Sequence, residues 1–437
     1  MPRHIVDIIT MGCSKNLVDS EHLMAMFKSA GIDVFHNPDE LHGDIAVVNT
    51  CGFIGDAKEE SIEMILSLCE KKAQDLINQV YVMGCLSERY RNELMEEIPE
   101  VDKFYGKFDW KQLLSDLNMQ SGSDSVEARA VTTPSHYAYV KIAEGCNRKC
   151  AYCAIPIITG KHVSRPMEDI LQEVEGLVHK GVKEFQIIAQ ELTFYGVDLY
   201  GKQCIAELVD RMAKIEGVEW IRLHYAYPNN FPVDLLEVIR RNQNVCKYLD
   251  IALQHISDHV LSNMLRHTTK EETISLTKKI REEVPGITLR TTLMVGFPGE
   301  TQADFDELID FVKWAKFDRM GAFAYSEEEG TYAAINYEDD VPEDVKQSRL
   351  DRVMKVQEGI MTELNSQKEG KVFKTIIDRR EGDYYVGRTE ADSPEVDCEV
   401  LIPHSEGALN IGDFYQVEIV SADTFDLYGT VVEQSAY

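Results

Sequence analysis

The chain reads as a multidomain α/β protein: an N-terminal parallel α/β sheet domain, a central partial (β/α)6 barrel and a small C-terminal antiparallel β-barrel. Three observations predict this. Short apolar strands alternate with helical stretches from the start to about residue 115, and the alternation resumes six times between Tyr137 and about Ser326. From about residue 370 only short strands with turn signals remain. Strand–helix alternation implies parallel sheets covered by helices, and closely spaced short strands imply a small barrel.

In the first part, His4–Thr10 is an apolar strand, and a helix over Ser20–Ala30 is stopped by Gly31. Asp44–Asn49 is a second strand, followed by a helix from about Lys58 to Asp75. Gln79–Met83 is a third, followed by a helix from Ser87 to Glu97. Three cysteines fall just after these strands, in Met11-Gly12-Cys13, Asn49-Thr50-Cys51-Gly52 and Met83-Gly84-Cys85. The carboxyl ends of strands form the ligand crevice of an open α/β sheet. Each thiol alone reads as a buried core group; three at matching strand ends read as a metal-cluster site one ligand short. Cys69, Cys204, Cys246 and Cys398 follow no such pattern and are expected to be structural.

Residues 116–135 lose periodicity, and Gln120–Ser125 reads as a linker or exposed loop. The six central strands are Tyr139–Ile142, Phe185–Ala189, Trp220–Leu223, Tyr248–Leu253, Thr288–Val295 and Met320–Tyr325. Six units fall short of the eight that close a full barrel, and such barrels carry their sites at the carboxyl ends of the strands. Directly after the first strand comes Cys146-Asn147-Arg148-Lys149-Cys150-Ala151-Tyr152-Cys153, a C-x3-C-x2-C run with an aromatic before the last cysteine. Three thiolates on one tight loop can hold three irons of a four-iron cluster, leaving the fourth open to a small molecule. Zinc is the competing reading. It normally takes four protein ligands, and the nearest extra donor, His162, lies beyond a turn containing Pro and Gly.

This run resembles that of the radical S-adenosylmethionine (SAM) enzymes, as does the six-unit barrel around it. The resemblance implies that SAM chelates the open iron and is cleaved to a deoxyadenosyl radical. It also points to candidate SAM contacts: Gln190 and Glu191 at the end of the second strand, Arg290 within the fifth if it points inward, and Gly296, Gly299 and Glu300 in the loop after it. His224, Tyr225, Gln254 and His255 also end strands and are weaker candidates. Each of these could equally serve a turn or a buried hydrogen bond.

A helix over about 342–369 leads into five short strands, Phe373–Ile377, Tyr384–Arg388, Cys398–Ile402, Tyr415–Ile419 and Leu427–Val432. They resemble a TRAM domain, a module usually met in RNA modification. Here residues 369–437 hold 15 Asp and Glu against 5 Lys and Arg, a surface that would repel a phosphate backbone. The domains so defined are 1–118, 132–367 and 368–437.

The three domains in this order resemble the methylthiotransferase family of radical SAM enzymes. The runs Gly12–Glu21, Asn49–Ile54, Arg222–Tyr225 and Leu253–His255 resemble its members that act on a small-subunit ribosomal protein. The resemblance implies transfer of a methylthio group to the β-carbon of an aspartate in protein S-twelve. It implies two [4Fe-4S] clusters, one on Cys146, Cys150 and Cys153 that cleaves SAM, the other on Cys13, Cys51 and Cys85 that carries sulfur supplied as sulfide or polysulfide. No catalytic residue beyond these ligands is expected. A low-potential electron donor is needed, and a methylthio-forming enzyme acting on tRNA is the alternative. The formal net charge of −30 counts against nucleic acid and suits a basic protein partner. Glu390, Asp392, Glu395 and Asp397 are the expected capture surface. No apolar run spans a bilayer and Met1-Pro2-Arg3-His4 does not open a signal peptide, so a cytoplasmic enzyme is expected.

Overall fold

The computed structural model describes residues 5–53, 55–117 and 129–432. The expected linker at Gln120–Ser125 lies outside the described residues, as do His4 and Ile54. The first domain has five strands: β1 (Ile5–Thr10), β2 (Asp33–His36), β3 (Ile45–Thr50), β4 (Gln79–Gly84) and β5 (Lys103–Phe104). They pair in parallel in the order β2-β1-β3-β4-β5. All six residues of β3 are buried, as befits a central strand covered on both faces. The order reverses between β1 and β3, so a crevice opens outside the carboxyl ends of those strands.

Four helices cover the sheet: α1 (Ser14–Ser29), α2 (Gly55–Ala73), α3 (Cys85–Glu97) and α4 (Trp110–Asp116). Helix α1 begins six residues before its expected start. Ser14, Lys15 and Asn16 are indifferent helix formers, but Asn16 is held by tertiary hydrogen bonds to Met11 O and Thr50 O (3.1 and 2.9 Å). Strands β2 and β5 escaped sequence reading because they are short edge strands.

The central domain has six parallel strands: β6 (Tyr137–Lys141), β7 (Glu184–Ile188), β8 (Trp220–Ala226), β9 (Val245–Gln254), β10 (Thr288–Val295) and β11 (Arg319–Ala324). They pair strictly in sequence order, and β6 and β11 remain unjoined edges, giving the open partial barrel that was expected. A helix, α5 (Glu343–Ser366), leads out of it. The last domain is a closed barrel of β12 (Val372–Glu381), β13 (Tyr384–Thr389), β14 (Glu399–Pro403), β15 (Phe414–Ala422) and β16 (Asp426–Val431), ordered β12-β13-β14-β16-β15. Four junctions are antiparallel as expected; β14 and β16 pair in parallel, because the chain crosses β15 between them. Among the described residues no helix is long and apolar enough to cross a membrane.

The C-terminal barrel plugs the amino-terminal opening of the central one. Arg388 donates to Glu184 (2.7 Å) and Asp378 (2.6 Å). Arg222, fully buried, also binds Glu184 (3.0 Å). Tyr248 Oη donates to Asp397 (2.9 Å), Tyr137 Oη to Glu395 (3.1 Å), the Lys247 N–H to Glu390 (3.4 Å), and Arg319 pairs with Asp392. This corrects the expectation for Glu390, Asp392, Glu395 and Asp397, of which Glu395 alone stays exposed. Their carboxylates bind the barrel floor, opposite the reaction end, and Asp392 is 0% exposed. Composition counts charges without telling buried from exposed. Asp392→Ala would strand the buried Arg319, at a cost of about 3–5 kcal/mol. Chemical denaturation should register that loss; a change under about 1 kcal/mol would return Asp392 to the free surface.

Candidate functional site

The first cysteine trio is gathered by tight packing at the sheet's switch point. Gly12 has φ +83°, and a Cβ there would stand 2.5 Å from Cys51 Cβ and 2.7 Å from its Sγ. A Cβ on Gly52 would meet Leu86 N at 2.6 Å and Cys85 C at 2.8 Å. Only glycine lets the three loops close this far. Asn16 stitches them together: besides its bonds to the Cys13 and Cys51 loops, its Oδ1 lies 3.6 Å from Cys85 Sγ.

The second trio sits on a loop whose stem is a two-stranded antiparallel ribbon, Ala143–Glu144 against Val163–Ser164. Gly145, at φ +72°, packs on the far side of that loop, where a Cβ would meet Lys161 O at 2.1 Å. Cys146 Sγ accepts from the Arg148 N–H (3.4 Å), and Cys150 Sγ from Arg266 Nη1 (3.4 Å). Both guanidiniums lie 4.1 Å from the Tyr227 ring centroid, within cation–π range. The aromatic of the motif, Tyr152, packs on Phe297.

All six cysteines line one cavity of about 360 Å³. The three strand-end loops of the first domain and the cysteine loop of the central one therefore face each other across a shared space. Beside it, Lys107 is buried between Glu144 (3.1 Å) and Asp19 (3.7 Å), and Lys141 pairs with both acids. This charge network crosses the boundary between the first two domains.

The donor set fits iron–sulfur clusters. Burial pushes Cys85 up to about 12 and Cys146 up to about 11, and it raises Cys51 and Cys153 as well. Such thiols become thiolates when a cationic metal centre is beside them. Among the described residues no three His, Cys, Asp or Glu converge closely enough for a single metal ion. A cluster asks for something else, since each thiolate takes its own iron around a common core. His162 bonds Ser164 (3.0 Å), packs on Phe194 and does not line the cavity, so the single-zinc reading lacks its fourth ligand.

Gln190 and Glu191 line the cavity. Gln190 donates to Glu144 (2.9 Å) while its buried Oε1 has no partner, and Glu191 pairs with Arg148 (3.2 Å). Tyr225 and Gln254 line it too, both with positive φ (+64° and +69°), a strained backbone typical of functional sites. The structure does not bring the other expected SAM contacts there. Arg290 stands toward the barrel floor, pairs with Asp397 (3.3 Å) and Asp250 (3.7 Å), and lines a separate cavity of about 440 Å³. Glu300 binds the Gly296 N–H (2.7 Å) and Arg349 (3.0 Å), and burial pushes it up to about 7. The Gly299 N–H binds Asp340 (2.7 Å). The Gly296–Gly299 turn instead supports the cysteine loop from behind, through Phe297. His224 bonds Gln186 (2.7 Å) inside the barrel, and His255 is buried beside Glu300. Sequence reading missed Arg266, Tyr227 and Lys107, which sit on irregular loops. It quoted Lys15, Asn16 and Arg148 only as motif context.

Comparison with known proteins agrees. Residues 5–106 match the uncharacterized protein family UPF0004, 140–312 the Radical SAM superfamily and 370–432 the TRAM domain. Two solved structures share the fold. One is the radical S-adenosylmethionine methyltransferase TsrM from Kitasatospora setae, with cobalamin and a [4Fe-4S] cluster bound (TM-score 0.58, 13% identity, 76% of this chain and 74% of that one). The other is the cobalamin-dependent radical enzyme OxsB (TM-score 0.53, 12% identity, 80% and 56%). Fold, site and family models together define a radical SAM enzyme. Curated relatives narrow this further. Ribosomal protein uS12 methylthiotransferases RimO from Bacteroides fragilis and Phocaeicola vulgatus are 62% and 63% identical over 432 residues, covering 99% of this chain and all of theirs. That from Porphyromonas gingivalis is 59% identical over 434 residues, with the same coverage. The chain belongs to the RimO family of ribosomal protein uS12 methylthiotransferases.

Proposed function

We propose that this chain transfers a methylthio group to the β-carbon of an aspartate in ribosomal protein uS12, using a [4Fe-4S] cluster at each cysteine trio. The observation that carries this reading is the single cavity lined by all six cysteines. When bound, the groups supply reductive cleavage of SAM to a carbon-centred radical on one side and a soft metal carrier for sulfur on the other. Cys146, Cys150 and Cys153 would hold the first, leaving SAM its open iron; Cys13, Cys51 and Cys85 would hold the second.

The chain's own residues prepare the chemistry. Arg266 and the Arg148 N–H direct hydrogen bonds at the sulfurs of Cys150 and Cys146, tuning those ligands. Gln190, with its unpartnered Oε1, and Glu191 offer acceptors for the SAM amino group. The proximity of the two trios would let a substrate carbon activated on one side be captured on the other without leaving the cavity. Sulfide or polysulfide is the sulfur source, and a low-potential donor supplies electrons. The three sheets support the division into 1–118, 132–367 and 368–437. The cytoplasm is where ribosomal protein, reductant and reduced thiols coexist.

The acidic chain favours a basic ribosomal protein over tRNA. Mass spectrometry of uS12 and tRNA from cells with and without the gene tests this. Loss of a methylthio group from a uS12 aspartate, with tRNA unchanged, is expected; loss from tRNA alone would refute it.

A further inference from the structure

We propose that Lys15 is the specificity-determining residue that grips the carboxylate of the target aspartate, an inference that rests on the reading above. Four cations line the cavity: Lys15, Lys107, Arg148 and Arg266. Three are each held by two or more ion-pair or hydrogen-bond partners. Lys107 is paired with Glu144 and Asp19, and Arg148 with Glu191. Arg266 gives its hydrogens to Cys150, Tyr152 and the Ala252 carbonyl. Lys15 has no carboxylate within ion-pair distance among the described residues. Its nearest partner is the Tyr225 ring, with Nζ 3.5 Å from the centroid, and the closest carboxylate to feel its charge, Asp250, lies beyond ion-pair distance.

The placement is unfavourable for folding alone. Lys15 sits in the first turn of α1, where the helix dipole disfavours a cation, and no acid accompanies it there. Tyr225, its platform, occupies the left-handed region at the end of β8 (φ +64°), held by its N–H to Asp250 (3.3 Å). Asp250 is itself engaged by Arg290. A strained aromatic holding an uncommitted ammonium inside a reaction cavity is a receptor for an anion. The reading above supplies one: the aspartate β-carboxylate is bonded to the carbon that receives sulfur. Fixing that carboxylate fixes the adjacent C–H bond against its radical acceptor. It also rejects the neutral asparagine analogue and a nucleobase, which would leave the ammonium buried without a counter-charge.

The test uses reconstituted holoenzyme with a uS12 peptide carrying the target Asp, and the same peptide with Asn. Wild type should prefer Asp. Lys15→Gln should weaken Asp-peptide binding and raise its KM roughly tenfold to a hundredfold, as for loss of a charged hydrogen bond, and erase the Asp-over-Asn preference. Lys15→Arg, which keeps the charge, should retain the preference. Persistence of that preference in Lys15→Gln, or identical behaviour of the two variants, would overturn the inference. So would an equal weakening of SAM binding without peptide, since the carboxylate held would then be that of SAM. Failure of wild type to modify either peptide would instead count against the underlying reading.

Discussion

Replacing Cys150 with alanine is expected to abolish deoxyadenosine formation, a fall of at least about 10³-fold, or about 4 kcal/mol of barrier. Cys150 is the middle member of its trio and the one best supported by its surroundings. Its Sγ takes a hydrogen bond from buried Arg266 and lies 3.7 Å from Tyr227 Oη. Alanine removes the thiolate and leaves Arg266, already without a carboxylate partner, facing the cavity. The loop itself should stay folded, because its stem ribbon and the Ala151 hydrogen bonds to Met264 and Ala333 do not involve the sulfur. Anaerobic assay with dithionite and SAM decides the matter, with circular dichroism as the folding control. A folded Cys150→Ala variant that still makes deoxyadenosine would remove Cys150 from the ligand set.

Cys51→Ala should give the opposite split: SAM cleavage retained, methylthio transfer to uS12 lost by a comparable factor. Cys51 lies on β3's loop in the first domain, whereas the SAM-cleaving trio belongs wholly to the central one. The substitution leaves the Ser61 hydroxyl's hydrogen bonds with the Cys51 N–H and carbonyl intact, so local collapse is small. Measuring deoxyadenosine and modified peptide in the same reaction separates the two steps. Loss of both would show that the trios do not divide the work as described.

Both predictions rest on residues that were legible without coordinates. The six cysteines stood out because spacing along a loop, or position just after an apolar strand, survives as pattern in the sequence. The three-sheet architecture was legible for the same reason: its strands are apolar runs of ordinary length. Legibility failed where position depends on tertiary contact. Arg266 lies between two residues with positive φ, Leu265 and His267, on a loop with no period. Lys107 follows a two-residue strand. Arg290 shares its strand with Thr292, which does line the six-cysteine cavity, but it lies two residues nearer the plugged floor. The acidic loop of the C-terminal barrel shows the limit of composition most plainly: the same carboxylates that suggested a docking face are spent on Arg319, Tyr248 and Tyr137.

The central claim is that two separate trios each hold a four-iron cluster. Iron and sulfide analysis of the anaerobically reconstituted chain, read with Mössbauer spectra, tests it most directly. About eight irons per chain are predicted, falling to about four in a Cys13, Cys51 and Cys85 triple-alanine variant. About four irons in the intact chain, unchanged by that triple substitution, would contradict it.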